Sequence, residues 1–122
     1  MVAAGNARES RRFLALRAGE VVGSFYIRAN QMGGGAHVAN GGYVTSPAAR
    51  GQGVARAMCL RSLEMAAELG FRAMQFNFVV STNERAVRLW QSFGFDTLAR
   101  LPQAFQHPVH GLVDALVMHR FL

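Results

Sequence analysis

Residues 42–70, GYVTSPAARGQGVARAMCLRSLEMAAELG, read as the end of a strand, a tight turn carrying two glycines, and a helix. The centre of the stretch is Arg50-Gly51-Gln52-Gly53-Val54-Ala55. Two glycines one residue apart let the backbone adopt positive φ and approach a ligand closely, because no Cβ intervenes. The helix that follows has four amides without intrahelical acceptors and roughly +0.5 charge at its start, which suits a phosphate or pyrophosphate. The alternative is a helix start that needs glycines and binds nothing. Further on, Met58, Ser62, Met65 and Leu69 recur on one face, Arg61, Glu64 and Glu68 share another, and Gly70 stops the helix.

What the stretch lacks narrows its class. A nucleotide-triphosphate loop ends in Gly-Lys-Ser/Thr, and this chain has no lysine. A dinucleotide fingerprint starting at Gly51 needs a third glycine at position 56, which is Arg56. A second pattern lies 33 residues after Arg50 and follows a β-prone run: Asn83-Glu84-Arg85-Ala86-Val87-Arg88-Leu89-Trp90-Gln91-Ser92-Phe93-Gly94-Phe95.

Together the two segments resemble the GNAT superfamily of N-acetyltransferases. The first matches Arg/Gln-x-x-Gly-x-Gly/Ala, and the second matches Asn-x-x-Ala-x-x-Leu-Tyr-x-x-x-Gly-Phe with Trp90 in place of the tyrosine. The resemblance covers residues 12–122. It implies an α/β (α+β) fold with a mixed, largely antiparallel sheet flanked by helices, and acetyl-coenzyme A as cosubstrate. Relatives usually begin with one more strand and two helices that help form the acceptor pocket, and this chain has no room for them. Either the N-terminus is truncated or the pocket is completed by other means, such as a partner subunit.

Size and composition agree with one domain over residues 1–122, with enough length to bury roughly 65% of its unfolded surface. Hydrophobic residues make up 51% and charged residues 16%, a globular balance. No apolar run reaches the ~18 residues of a membrane span. The start, MVAAGNARESRRF, lacks an apolar signal core, and a single cysteine, Cys59, allows no internal disulfide, so a cytoplasmic protein is expected. Net charge is +6, and all thirteen basic residues are arginine. They are scattered from Arg8 to Arg120 without a dense block or aromatic stripe, which disfavours nucleic acid as a partner.

Residues 1–10 are small and polar and are expected to fray. Residues 13–27, two apolar runs around Ala18-Gly19, predict a hairpin, and 31–35 a glycine-rich turn. His37 to Thr45 predicts a strand with a bulge or close backbone approach at Gly41-Gly42. Residues 74–80, MQFNFVV, predict a central strand, and Ser81-x-x-Glu84 a capping box for a helix whose Ala86, Leu89, Trp90 and Phe93 face inward. Residues 95–100 and 113–121 predict the last strands, with a long loop at 101–112. The order is β-β-β-α-β-α-β-β. A sheet without its first strand and two helices leaves an edge uncovered, so a homodimer is expected.

The resemblance assigns coenzyme contacts to the backbone of Tyr43, Val44 and Thr45, along the pantetheine arm, and to Arg50, Gly51, Gln52, Gly53, Val54, Ala55 and Arg56, around the pyrophosphate. For Tyr43 to Thr45 an ordinary sheet ladder is the alternative. Asn83 stands at the family's coenzyme-contacting asparagine and is equally a helix-cap type. Trp90 stands where relatives carry a tyrosine that protonates the thiolate. An indole N–H donates hydrogen bonds but is not a practical acid, so Trp90 is assigned to packing against the coenzyme. Phe78 occupies the position of a catalytic glutamate in some relatives, so no acid or base carries over; Tyr43 and His37 are the remaining weak candidates. Asn40, Asn77, His107, His110 and Asp114 complete the polar inventory, and no His/Cys/Asp/Glu spacing suggests a metal. The expected acceptor is a small-molecule or peptide amine. A coenzyme A binding module without catalysis is the alternative function.

Overall fold

The computed structural model describes residues 10–122. The expected frayed start lies, apart from Ser10, outside the described residues. Six strands hydrogen-bond in the order β1-β2-β3-β4-β6-β5. In chain order they are β1 (Arg11–Arg17), β2 (Glu20–Ala29), β3 (Val38–Thr45), β4 (Ala73–Val80), β5 (Asp96–His107) and β6 (Gly111–Phe121). Helix α1 (Val54–Glu68) precedes β4 and helix α2 (Glu84–Ser92) follows it, as the element order predicted. The described residues form two compact units, 10–74 with Phe121–Leu122, and Gln75–Arg120.

In the first unit, β1 and β2 are an antiparallel hairpin closed at Ala18-Gly19, with φ of 51° and 81°. Two consecutive positive φ values match the right-handed twist of the flanking strands, which is why so short a turn works. Strand β3 continues the sheet antiparallel to β2, with Phe25 opposite Tyr43, Tyr26 opposite Gly42 and Ile27 opposite Gly41. The β2–β3 pairing runs through Gly41-Gly42 without a register shift, and a close approach there is made by a side chain, described below.

Helix α1 packs on β2 and β3. Phe25, Ile27, Ala39, Met58, Cys59, Leu63, Ala66 and Met74 are buried there, each large side chain contributing ~1.5–3 kcal/mol. The buried face of α1 is Val54, Met58, Cys59, Ser62, Leu63 and Ala66. It is rotated toward Cys59 and Leu63 from the predicted stripe, and Met65 and Leu69 sit at its margin, half-buried. Cys59 is buried and forms no disulfide among the described residues. The helix ends at Gly70, φ 91°, with Phe71 N donating to Ala66 O and Gly70 N to Ala67 O, both at 3.0 Å. This double bond pattern satisfies the last carbonyls.

The second unit is built on Phe76, Val79, Phe95, Ala115, Leu116 and Met118, all buried. Phe76 stacks on Phe95 at 4.4 Å and meets Trp90 at 4.9 Å. The capping box expected at Ser81 is not used: the N-cap of α2 is Asn83, whose Oδ1 accepts the Ala86 amide at 3.3 Å. No residue of α2 is fully buried; Ala86, Val87, Leu89 and Trp90 form its less exposed face.

Residues 101–112 are not a loop. Strands β5 and β6 pair antiparallel through most of that segment, leaving only 108–110 as the turn. The residues that read as loop signals are absorbed by irregularities in the ladder. Pro102 falls where the register shifts between Leu101 and Phe105, and Gln103 there has φ 50°. A proline lacks a ladder amide and is tolerated at such a bulge. Asp114 fixes the bulge, its Oδ1 accepting Gln103 N at 2.9 Å and its Oδ2 pairing with Arg100 at 2.7 Å.

Candidate functional site

The first unit gathers the end of β3, the glycine turn and the start of α1. After Thr45, Ser46 N donates to Val22 O at 2.9 Å, and a single 3-10 turn over Pro47–Ala49 redirects the chain. Gly51 (φ 76°) and Gly53 (φ 83°) then hold the left-handed backbone that their position in the sequence predicted. Gly53 is the N-cap of α1, and no side chain caps the helix. The first intrahelical bond runs from Ala57 N to Gly53 O at 3.0 Å, so the amides of Val54, Ala55 and Arg56 precede the ladder. A Cβ placed on Gly53 meets no atom within 4 Å, so the space above this turn is open.

The surroundings suit an anion. No acidic residue lies in the first turn of α1, and the Arg50 and Arg56 side chains are exposed. The turn is held in shape by Gln52, whose Nε2 donates to Ala48 O at 3.2 Å while its Oε1 accepts from the Arg17 guanidinium. Arg17 was missed in the sequence. It lies 35 residues away, in a hairpin that carries no motif.

Tyr43 and Thr45 pair with Phe25 and Gly23 of β2, and Val44 with Ser24. Val44 is 67% exposed, whereas the Tyr43 ring turns toward α1 and stacks on Phe25 at 6.0 Å. Ser62 Oγ donates to Cys59 O at 2.7 Å, which leaves it to accept from the Tyr43 hydroxyl at 2.6 Å. Burial pushes the Tyr43 phenol well above its ordinary 10.0, with the Ser62 hydrogen bond opposing in part. Such a phenol stays protonated through neutral pH and is a poor proton donor to a leaving thiolate. His37, the other weak candidate, is exposed, and its carbonyl accepts Arg72 N at 2.8 Å.

The second-motif residues lie in the second unit. Asn83 caps α2 through its side chain, and its carbonyl accepts Val87 N at 3.1 Å. Trp90 packs with Phe76 and, at 6.5 Å, with Phe95. Phe78 is 50% exposed and meets the Phe105 ring edge-on at 6.2 Å. The remaining polar candidates have local duties. His107 Nδ1 accepts the amides of Val109 and His110 at 3.0 and 3.1 Å, closing the β5–β6 turn. The Gln103 amide and the Arg100 guanidinium hold the half-buried Asp114 carboxyl below its ordinary value.

The model of the acetyltransferase (GNAT) family matches residues 3–95. N-acetyltransferase aca1 of Schizosaccharomyces pombe is 35% identical over 98 residues, which are 80% of this chain and 47% of that protein; the chain therefore spans about half the length of this relative. The structure of a GCN5-related N-acetyltransferase from Kribbella flavida superposes with a TM-score of 0.92 at 49% identity, over 94% of this chain and 69% of that one. An acetyltransferase structure from Salmonella typhimurium with its cofactor acetyl-CoA shares the fold, with a TM-score of 0.81 at 23% identity, over 91% of this chain and 64% of that one.

Proposed function

From the premise that this chain belongs to the acetyltransferase (GNAT) family, we propose that it transfers the acetyl group of acetyl-coenzyme A to an amine by direct attack in a ternary complex. The observation that carries this reading is the start of α1: two left-handed glycines, an N-cap without a side-chain cap, and open space over Gly53, all within the family's first motif. In this reading the amides from Gly51 to Arg56 hold the pyrophosphate. Arg50 and Arg56 offset its charge, and Gln52 keeps the turn in register through Ala48 and Arg17. The backbone of Tyr43, Val44 and Thr45 takes the pantetheine arm, and the motif resemblance assigns Asn83 and Trp90 to the same ligand.

The chemistry asks little of the side chains. A neutral amine attacks the thioester carbonyl, the carbon–sulfur bond breaks, and the proton lost by nitrogen ends on the departing thiolate. Tyr43 is engaged with Ser62, and an indole is no acid, so the proton passes from the product ammonium, directly or through water. Positioning of the two reactants supplies the rate.

A second reading, a coenzyme A binding module without turnover, is favoured by Trp90 lying in the aromatic cluster at the position of the family's tyrosine. Thermal melts with acetyl-coenzyme A, paired on one preparation with a thiol-release screen of small-molecule and peptide amines, separate the readings. A shifted midpoint with thiol release carries the transferase, and a shift without release for any amine carries the module. Self-association belongs to the same proposal, since β1 ends the sheet order and shows Leu16 at 62% exposure. A strictly monomeric species by light scattering at micromolar concentration removes it. A cytoplasmic setting is proposed because the single cysteine allows no internal disulfide.

A further inference from the structure

The face of β1–β2–β3 turned away from α1 carries a cationic site that neither family motif includes. Arg12, Tyr26 and Gly42 are directly opposite one another across the three strands, and Arg28 is opposite Asn40 one rung further on. Directly opposed residues and those two apart on a strand project to the same face. The adjacent residues Phe25 and Ile27 are buried on the α1 side, so this row lies on the opposite face, with Arg12 and Arg28 exposed and Tyr26 half-buried.

Gly42 makes the arrangement possible. A Cβ there falls 2.1 Å from Tyr26 Cε2 and 2.7 Å from Cζ, so the ring lies across the strand in the space that a side chain would fill. The Tyr26 hydroxyl reaches on to Asn40 Oδ1 at 3.1 Å, and Asn40 is only 5% exposed, which anchors the ring. On this platform sit two guanidiniums, Arg12 at 5.7 Å and Arg28 at 5.5 Å from the ring centroid. Both lie within the range of cation–π attraction. Among the described residues Glu64, Glu68, Glu84 and Asp114 pair with Arg61, Arg88 and Arg100, and neither Arg12 nor Arg28 has an ion pair. Two like charges are thus oriented on one ring without an ion-pair partner among the described residues, and each planar fork is suited to bind a carboxylate.

We propose that Arg12 and Arg28, set on Tyr26, bind a carboxylate of the acceptor, so that the amine this protein acetylates belongs to an acidic amino acid or an acidic peptide. The inference rests on the transferase reading and deepens it. Val44, on the same face and two residues along β3 from Gly42, is roughly 7 Å from the platform. It belongs to the segment that takes the pantetheine arm in that reading. Leu14 and Ser24, in register with Val44, lie beside the platform, with Leu14 exposed, and accommodate the aliphatic part of such an acceptor. A carboxylate on the arginines leaves its amine directed at the thioester end of the arm. Amines without an anionic group, polyamines above all, are disfavoured by the same two charges.

The test uses a product and its neutral counterpart, so that it does not depend on turnover. Titration calorimetry with N-acetylglutamate and with its diamide should give at least tenfold tighter binding of the dicarboxylate, about the worth of one charge-assisted bidentate contact. Arg12→Gln and Arg28→Gln should each remove most of that preference, and the double variant should bind the two ligands equally while keeping its acetyl-coenzyme A melting shift. In turnover, glutamate and a peptide beginning with aspartate, each against its carboxamide, separate the amino-acid from the peptide source. The variants should raise KM for the acid and leave kcat in place. Gly42→Ala, which pushes the ring off the strand, should act in the same direction with both arginines present.

Equal binding of acid and amide by the wild type, or a preference that survives the double variant, overturns the proposal whatever the coenzyme does. So does better turnover of a polyamine. Discrimination that is present and lost in the variants, in a protein with no coenzyme shift, leaves the anion site standing and sinks the transferase reading instead.

Discussion

Helix α1 starts on Gly53, with φ 83° and no side-chain cap, whereas α2 starts on Asn83, whose side chain takes the Ala86 amide. Their C-terminal ends are alike. Gly70 and Gly94 have φ of 91° and 87°, and each is followed by a phenylalanine whose amide reaches back five residues, to Ala66 and to Trp90. A cap that recurs in both helices serves folding alone. At the N-terminal ends the same chain solves the same problem of orphan amides in two ways. The α2 solution closes on itself through a side chain, as ordinary helices do. The α1 solution keeps the amides at an open surface, beside arginines and with no acidic residue in the first turn, which is the arrangement an anionic ligand requires. In the proposed function the difference separates a structural helix start from one that takes the pyrophosphate.

Breaking the α1 side of that contrast should have the largest effect. Acetyl-coenzyme A at a hundred times its dissociation constant should stabilise the protein by about 2.7 kcal/mol. Gly53→Glu should abolish the resulting melting shift by placing a carboxylate where the pyrophosphate binds, and should lower the ligand-free midpoint through a left-handed non-glycine residue, about 1–2 kcal/mol. A full shift in the variant moves the coenzyme away from this turn.

On the α2 side, Trp90→Phe should keep turnover within about tenfold, or 1.4 kcal/mol of barrier, because the indole fills an aromatic cluster and moves no proton. Loss of activity beyond that range assigns the indole a direct part in the transfer. Asn83→Ala should cost about 1 kcal/mol by removing the cap of α2. It should also diminish the coenzyme shift if Asn83 contacts the coenzyme as the proposed function has it; an unaltered shift restricts it to capping.

Tyr43→Phe should have the smallest effect near neutrality, about 0.5 kcal/mol, because Ser62 keeps its bond to Cys59 O. The pH dependence carries the information. Tyr43 has a raised value when folded, so its folded form is more protonated than its unfolded form only above the unfolded value of 10.0. Its contribution is therefore constant below about pH 10 and is lost as the pH rises beyond it. Alkaline unfolding should begin later in the phenylalanine variant, and the pH–rate profile of the wild type should show no descending limb from this phenol. A limb that disappears in Tyr43→Phe makes Tyr43 the acid after all.

Much of this was legible in the sequence, because its signals act over a few residues. The left-handed glycines of the α1 start, the Ala18-Gly19 hairpin, the two glycine-terminated helices and the element order all follow from local backbone preference and periodicity. Other features need partners distant in sequence. Residues 101–112 carry prolines and histidines that read as a loop, yet the ladder to β6, the Asp114 bonds to Gln103 and Arg100, and the His107 turn make them strand. The buried face of α1 was set by β2 and β3, and the fate of the Tyr43 hydroxyl by Ser62 on that helix. The Arg12–Tyr26–Arg28 platform exists only because strand register brings Arg12 to Tyr26 and Tyr26 to Gly42, which has no side chain in the way. Local preference is written residue by residue, but which side chains meet, and which are left facing solvent, is decided when the strands pair.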